Sequence, residues 1–236
     1  MKKIGIALLI VIAAIAGALY WLRGNMGGLV KDAIEKFGSE MIKAPVTVAA
    51  VEIKPADGRG VIRGLTIGNP AGFKTTHAFK VAAIEVDIDI ASIAKDVVTI
   101  RKIDIAAPDI IYEKGDAGTN FDAIQKNIAD YVGPSEKKKD SGGKKLIVES
   151  LTVRDAKAQA SAAFMGDKTV SVGLPDIALH DLGKSRGGVS PGELGQEIAK
   201  ALKQRLTTAV SFDNLMKSAG QGREKAGSAI KGLFGK

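Results

Sequence analysis

The sequence predicts a mainly β fold with flanking helices, an α+β protein whose extended, antiparallel-rich sheet has one aliphatic face. The prediction starts from segment 84–90, IEVDIDI, in which β-branched apolar residues alternate with carboxylates. Successive side chains of a strand point to opposite faces, so this segment has one aliphatic and one acidic face. An uncharged run at the N-terminus predicts a transmembrane helix. Apolar residues at helical spacing near the C-terminus predict an amphipathic helix.

The composition excludes several classes of site. The chain has 236 residues, 45% of them hydrophobic, which is enough to bury a core. It has no cysteine, so a disulfide framework or a thiolate site is excluded. Its two histidines, His77 and His180, are too few for an ordinary zinc or haem site. We therefore expect no cofactor and no metal.

The N-terminal segment 1–23 is predicted to be a transmembrane anchor. Ile4 to Leu22 is a run of nineteen uncharged residues, about 28 Å long as a helix, which matches the hydrocarbon core of a bilayer. Tyr20 and Trp21 lie where an interfacial aromatic belt is expected. The two lysines at positions 2 and 3 favour a cytoplasmic N-terminus, so the rest of the chain is exported.

The alternative for this segment is a cleaved signal peptide, with the small residues 16–18 as its cleavage site. Either interpretation exports the main domain. The formal net charge is +8, and without residues 1–23, which carry three basic residues, it is +5. This modest excess suits contact with anionic lipid headgroups, and export makes nucleic acid a poor alternative partner. We therefore expect the lipid bilayer as a partner and no nucleic acid.

The rest of the chain divides into three parts. Residues 24–45 form a predicted stalk helix, which either packs on the domain or lies along the membrane surface. Residues 46–185 form a β domain with a turn at Gly68, Asn69 and Pro70, a short helix from Thr119 or Asn120, and a charged linker at 134–145. Its predicted strands are 46–53, 61–67, 79–90, 97–105, 110–112, 146–154, 157–164, 168–172 and 177–182.

Three of these strands are copies of one pattern. Segments 61–67, 99–105 and 147–153 each space their apolar residues by three and then by two. An odd spacing moves a side chain to the other face of a sheet unless a bulge absorbs the extra residue. We therefore expect a bulge or a change of face within each copy.

Residues 186–236 are a predicted helical segment with a basic tail. Ser190, Pro191 and Glu193 form a helix start with a cap, a first-turn proline and a carboxylate that reaches back. The apolar stripe that follows either covers the aliphatic face of the sheet or binds a membrane or a partner. It consists of Leu194, Ile198, Leu202, Leu206 and Val210.

The polar motifs do not indicate an enzyme. Glu85, Asp87 and Asp89 are typical of the solvated side of a strand and lack the loop spacing of a calcium site. His77 and His180 are expected in surface turns with no accompanying nucleophile motif. The glycines of segment 58–60 lack the lysine and the following helix of a phosphate loop.

The aliphatic face is the candidate functional surface. Its members are Ile84, Val86, Ile88, Ile90, Ile103, Ile105 and Val153. One hypothesis is a lipid-contacting groove, because a smooth aliphatic wall suits acyl chains. The other is a closed core in a non-enzymatic scaffold or partner-binding domain, because a sheet usually buries one side against another layer.

Several segments together resemble the AsmA-like proteins of the bacterial envelope. The resemblance covers residues 1–185, and the Asn69–Pro70 pair is also similar to late-embryogenesis-type β-sandwich proteins. The similar segments are 65–73, 83–89, 103–108, Tyr112–Glu113, Asn120, 151–156 and 174–182.

The resemblance to AsmA-like proteins implies location and role. It implies a single-pass inner-membrane protein whose β-sheet lies in the periplasm. It further implies a part in cell-envelope biogenesis, in outer-membrane assembly and phospholipid transport. The partners it suggests are the inner-membrane bilayer, phospholipid acyl chains and other envelope proteins.

Overall fold

A computed structural model describes residues 26–133, 144–165, 169–212 and 214. Over these residues the chain is a mixed α/β protein with one sheet of eleven strands and three α-helices. The helices are α1 (Met26–Ile42), α2 (Asn120–Val132) and α3 (Pro191–Ala209). The strands are β1 (Val46–Thr47), β2 (Ala50–Lys54), β3 (Arg59–Ile67), β4 (Phe79–Ile88), β5 (Val97–Ala106), β6 (Asp109–Gly115), β7 (Gly118–Thr119), β8 (Lys145–Arg154), β9 (Lys157–Ala162), β10 (Thr169–Gly173) and β11 (Ile177–Leu182).

Two pairs of consecutive strands, β5 with β6 and β8 with β9, each form one long strand with an interruption. Strands β5 and β6 pair with β4 in one continuous register across the break at Ala107 and Pro108. Strands β8 and β9 continue each other in the same way across Asp155, beside β5 and β6. Ala107 and Asp155 both have a positive φ, near 50°, which interrupts the extended backbone without shifting the pairing.

The sheet is antiparallel-rich, as predicted. The pairs β5–β8 and β6–β9 are parallel, and every other strand pair of the described sheet is antiparallel. A parallel pair needs a crossover connection, and helix α2 lies in the connection between β6 and β8. Its N-cap is Thr119, which forms a reciprocal capping box with Asp122.

A bulge of the predicted kind is present in β5, and the backbone of β3 is irregular within its copy of the pattern. Between β4 and β5 the register shifts at Arg101, which is the extra residue in that copy of the pattern. In β3 the interruption falls at Gly64, whose φ of +61° lies in the left-handed region that glycine adopts readily. The extra residue Arg101 keeps Ile100, Ile103 and Ile105 on one face of the sheet despite their odd spacing.

Some predicted segments lie outside the described residues. These include the anchor residues Ile4, Tyr20, Trp21 and Leu22, most of the charged linker, and the basic tail after residue 214. Among the helices that the structure does describe, none has the length and apolar character needed to cross a bilayer.

The end of β4 and the start of β8 differ from the sequence prediction. Strand β4 ends at Ile88, because the Asp89 side chain caps a short 3₁₀ turn that contains Ile90. Lys145, assigned to the linker, begins β8, and the preceding Lys144 donates hydrogen bonds to carbonyls of Ile93 and Lys95. The linker therefore ends two residues earlier than predicted.

All three helices pack on the aliphatic side of the sheet. Helix α1 buries Val30 and Ala33 against β2, whereas the neighbouring Leu29 is 48% exposed. Helices α2 and α3 pack on each other and contribute to the same core as the sheet, with Ile124 and Leu206 among the buried members. The aliphatic face is thus covered rather than open to solvent.

Candidate functional site

Two apolar cavities lie between the sheet and its helical cover. The first, here the hairpin cavity, has a volume of about 200 Å³ and is bounded at one end by the hairpin between β2 and β3. It is lined almost entirely by aliphatic side chains, with Lys54 and Arg59 as its charged residues. Leu194 and Ile198 of α3 form part of its cover.

The second, here the helix cavity, has a volume of about 240 Å³ and lies beneath α2 and α3. It shares a wall with the hairpin cavity, and this wall consists of Ile84, Ile105, Leu151 and Ile198. Each cavity alone is below the roughly 300–1,000 Å³ of ordinary ligand pockets. The two cavities lie side by side along the sheet and are together called the aliphatic space.

The structure brings six of the seven predicted lipid-contacting residues to this space. Ile84 and Ile105 line both cavities. Of the others, Val86, Ile88 and Ile103 line the hairpin cavity, and Val153 lines the helix cavity. Ile90 is the exception: it is 41% exposed and lies in the turn after β4. Simple alternation placed it on the aliphatic face, but the strand ends two residues before it.

The stripe of α3 faces the protein. Leu194, Leu206 and Val210 are buried, and Ile198 and Leu202 between them are half-buried beside the cavities. The helix begins with the predicted capping box, in which Ser190 accepts from the Glu193 N–H and Glu193 accepts from the Ser190 N–H. In this structure α3 is therefore a cover for the aliphatic face.

The predicted turn at Gly68, Asn69 and Pro70 is held by a buried polar network. The fully buried Asn120 donates to the Asn69 side-chain oxygen at 2.9 Å and to the Ile111 carbonyl at 2.7 Å. The side-chain oxygen of Asn120 accepts from the Glu113 and Phe121 N–H groups. Asn69, Glu113 and Asn120, which are far apart in sequence, thus come together at the end of the aliphatic space.

Glu113 completes this network from its other side. Its carboxylate is buried and accepts hydrogen bonds from the backbone N–H groups of Lys74 and Thr75 and from the Thr75 hydroxyl. Asn69 in turn donates to the Thr75 carbonyl at 2.8 Å. The network fixes the loop before β4.

The opposite face of the sheet is charged, as the alternation predicted. Glu85 is exposed, and Asp87 accepts two hydrogen bonds from the Arg101 guanidinium. Asp104 is buried among Lys102, Thr152 and Arg154. The hydrogen bond from Lys102, with those from Thr152 and Arg154, outweighs burial and lowers the pKa of the Asp104 carboxyl.

The two histidines differ from their predicted surroundings. His77 is 9% exposed and lies 3.4 Å from the Asp109 carboxylate through Nε2, so its prediction as a surface turn residue is wrong. His180 is exposed, but it lies within strand β11 rather than in a turn. Within the described ranges, the His, Asp and Glu side chains form no group of three that could hold a metal ion.

Comparisons of this chain with protein-family models, with curated proteins and with solved structures give no match.

Proposed function

We propose that this chain is a membrane-anchored envelope protein that binds acyl chains in the aliphatic space between its sheet and α3, and so handles lipid during envelope biogenesis. The observation that carries the proposal is the pair of adjoining apolar cavities, which share the wall of Ile84, Ile105, Leu151 and Ile198. A close-packed core leaves few voids larger than a water molecule, so two adjoining cavities indicate space for a guest.

Such binding is driven by the transfer of the acyl chain from water into the apolar cavities. Each methylene moved from water into an apolar environment contributes about 0.8 kcal/mol. The cavity walls are aliphatic and carry almost no polar groups, so they provide no means of distinguishing one headgroup from another inside the space. The walls of the space are therefore selective for acyl chains, and a preference among headgroups has to come from residues at its edge.

Photocrosslinking tests this proposal in the full chain. We expect a photoreactive residue in place of Ile103, which is half-buried on the hairpin cavity, to crosslink to metabolically incorporated alkyne-labelled acyl chains. The same residue in place of Ile90 is the matched control, because Ile90 is exposed and outside both cavities. Adding Ile198→Trp, which fills the shared wall, should reduce the Ile103 crosslink about tenfold or more. Equal labelling at positions 103 and 90 would contradict the proposal.

A second candidate is a non-enzymatic scaffold or partner-binding domain with a closed core. The burial of Leu194 and Leu206 favours this candidate, because these residues pack the two ends of α3 against the core. In that case the cavities are packing defects, and no acyl chain is crosslinked from either position.

The proposed location rests on the uncharged run 4–22 and the lysines that precede it. We propose a single inner-membrane span with a cytoplasmic N-terminus and a periplasmic main domain, as in the AsmA-like proteins that the sequence resembles. Alkaline phosphatase fused after Lys236 should then be active, because that enzyme requires export. An inactive fusion, with a cytoplasmic reporter active at the same position, would refute this topology.

A further inference from the structure

The mouth of the hairpin cavity carries two cations. Lys54 and Arg59 are exposed and lie directly opposite each other in the ladder between β2 and β3. Directly opposite side chains have Cβ atoms about 4.5–5.5 Å apart, and like charges in such a pair repel. The hairpin that closes this end of the sheet therefore places two positive charges side by side at the end of an apolar cavity.

Of the acidic groups near this pair, Glu52 and Asp87 are engaged by other arginines, whereas Asp57 lies exposed in the connecting turn. Glu52, two residues before Lys54, accepts from the Arg63 guanidinium at 2.5 and 3.2 Å. Asp87, opposite Arg59 on its other side, accepts from Arg101 at 2.6 and 3.0 Å. Within the described part of the chain, Lys54 and Arg59 have no ion pair.

A recess of about 450 Å³ lies on the charged face beside this mouth. Lys54 and Arg59 line both the recess and the hairpin cavity, together with Gly60, Val61 and Val86. Gly60 has no side chain to separate the two spaces. The recess also includes Glu85, which lies opposite Val61, two pairs further from the hairpin than Asp87 and Arg59.

We propose that the hairpin cavity binds amphiphiles with a terminal anion, with the acyl chain in the cavity and the anion on Lys54 and Arg59. This inference rests on the proposed function and adds the chemical class of its ligand. A carboxylate or a phosphate would supply a direct ion-pair partner, which Lys54 and Arg59 lack among the described residues, although Glu52 is close enough to Lys54 for a coulombic interaction. Hydrogen bonds from charged donors to such an anion are stronger than neutral ones, and the guanidinium of Arg59 can donate two in parallel.

The test uses the full chain with the photoreactive residue at position 103 and measures competition for its acyl crosslink. The competitors share a lauroyl chain: laurate, lauroyl lysophosphatidylglycerol, lauroyl lysophosphatidylcholine and monolauroylglycerol. We expect the two anions to compete at concentrations about tenfold lower than the neutral monoacylglycerol, and raised salt to reduce this difference. Comparing laurate with lysophosphatidylglycerol distinguishes a free fatty acid from a phospholipid source.

The double variant Lys54→Gln/Arg59→Gln should remove the advantage of the anions and leave competition by monolauroylglycerol unchanged. Lys80→Gln/Arg205→Gln is the matched control, because it removes the same net charge from exposed positions that line neither cavity. The inference is overturned if wild-type protein binds neutral and anionic competitors equally, or if the control pair has the same effect. An absence of any acyl crosslink instead refutes the proposed function, and the inference falls with it.

Discussion

Replacing Asn120 by alanine is expected to lower the free energy of unfolding by about 4 kcal/mol, because its buried side chain makes four hydrogen bonds. Those bonds join Asn69 in the turn, Ile111 and Glu113 in β6, and Phe121 in α2. Alanine leaves their polar groups without a partner in an environment that water does not reach. Urea unfolding of the two proteins measures the difference directly.

Asn127→Ala is the matched control for this variant. Asn127 lies on the same helix, is half-buried, and donates one hydrogen bond, to the Ile42 carbonyl at 2.8 Å. We expect it to cost only about 1 kcal/mol. Equal losses for the two asparagines would show that the network around Asn120 does not hold the turn in place.

Leu206→Ala is expected to lower the free energy of unfolding by about 3 kcal/mol. Leu206 is fully buried at the C-terminal end of the α3 stripe, and shortening a buried leucine loses transfer energy and leaves a void. Thermal or urea unfolding of the full chain provides the measurement. A decrease of this size in the free energy of unfolding would show that α3 is part of the folded core.

Ile198→Ala, on the same stripe, should cost only about 1 kcal/mol. Its side chain is half-buried and already borders both cavities, so its removal deletes fewer packing contacts. A cost for Ile198 as large as that for Leu206 would mean that the aliphatic space is filled by protein. That outcome would favour the closed core over acyl binding.

The alternation of apolar and charged residues was enough to predict the sheet and most of the site. Ile84, Val86 and Ile88 are placed by periodicity alone, and the structure puts all three on the hairpin cavity. The same rule failed at Ile90, because the Asp89 carboxylate caps a turn instead of continuing the strand. A side chain that hydrogen-bonds a nearby backbone N–H can end a strand, and the alternation of apolar and polar residues does not predict such a bond.

Features that depend on long-range pairing were not predictable in this way. Asp104 alternates with isoleucines like a solvated strand residue, yet parallel pairing with β8 brings Thr152 and Arg154 to its carboxylate. The cations at the cavity mouth were likewise missed, since Lys54 and Arg59 become neighbours only through the register of one hairpin. A clue was present in the glycines of segment 58–60, which mark a tight turn between two short strands.

The chain order of the sheet has a consequence for biosynthesis. Strands β2, β3, β4 and β5 pair in sequence, so each finds its partner soon after it is made. Strand β8 must instead return across α2 to lie beside β5, and α3 follows every strand. Chains are synthesised from the N-terminus. Helices α1 and α2 are therefore made early, but the part of the isoleucine-rich side that α3 covers stays open until α3 arrives. A nascent molecule is therefore most prone to aggregation just before its last described helix emerges, when assistance from a chaperone has the greatest value.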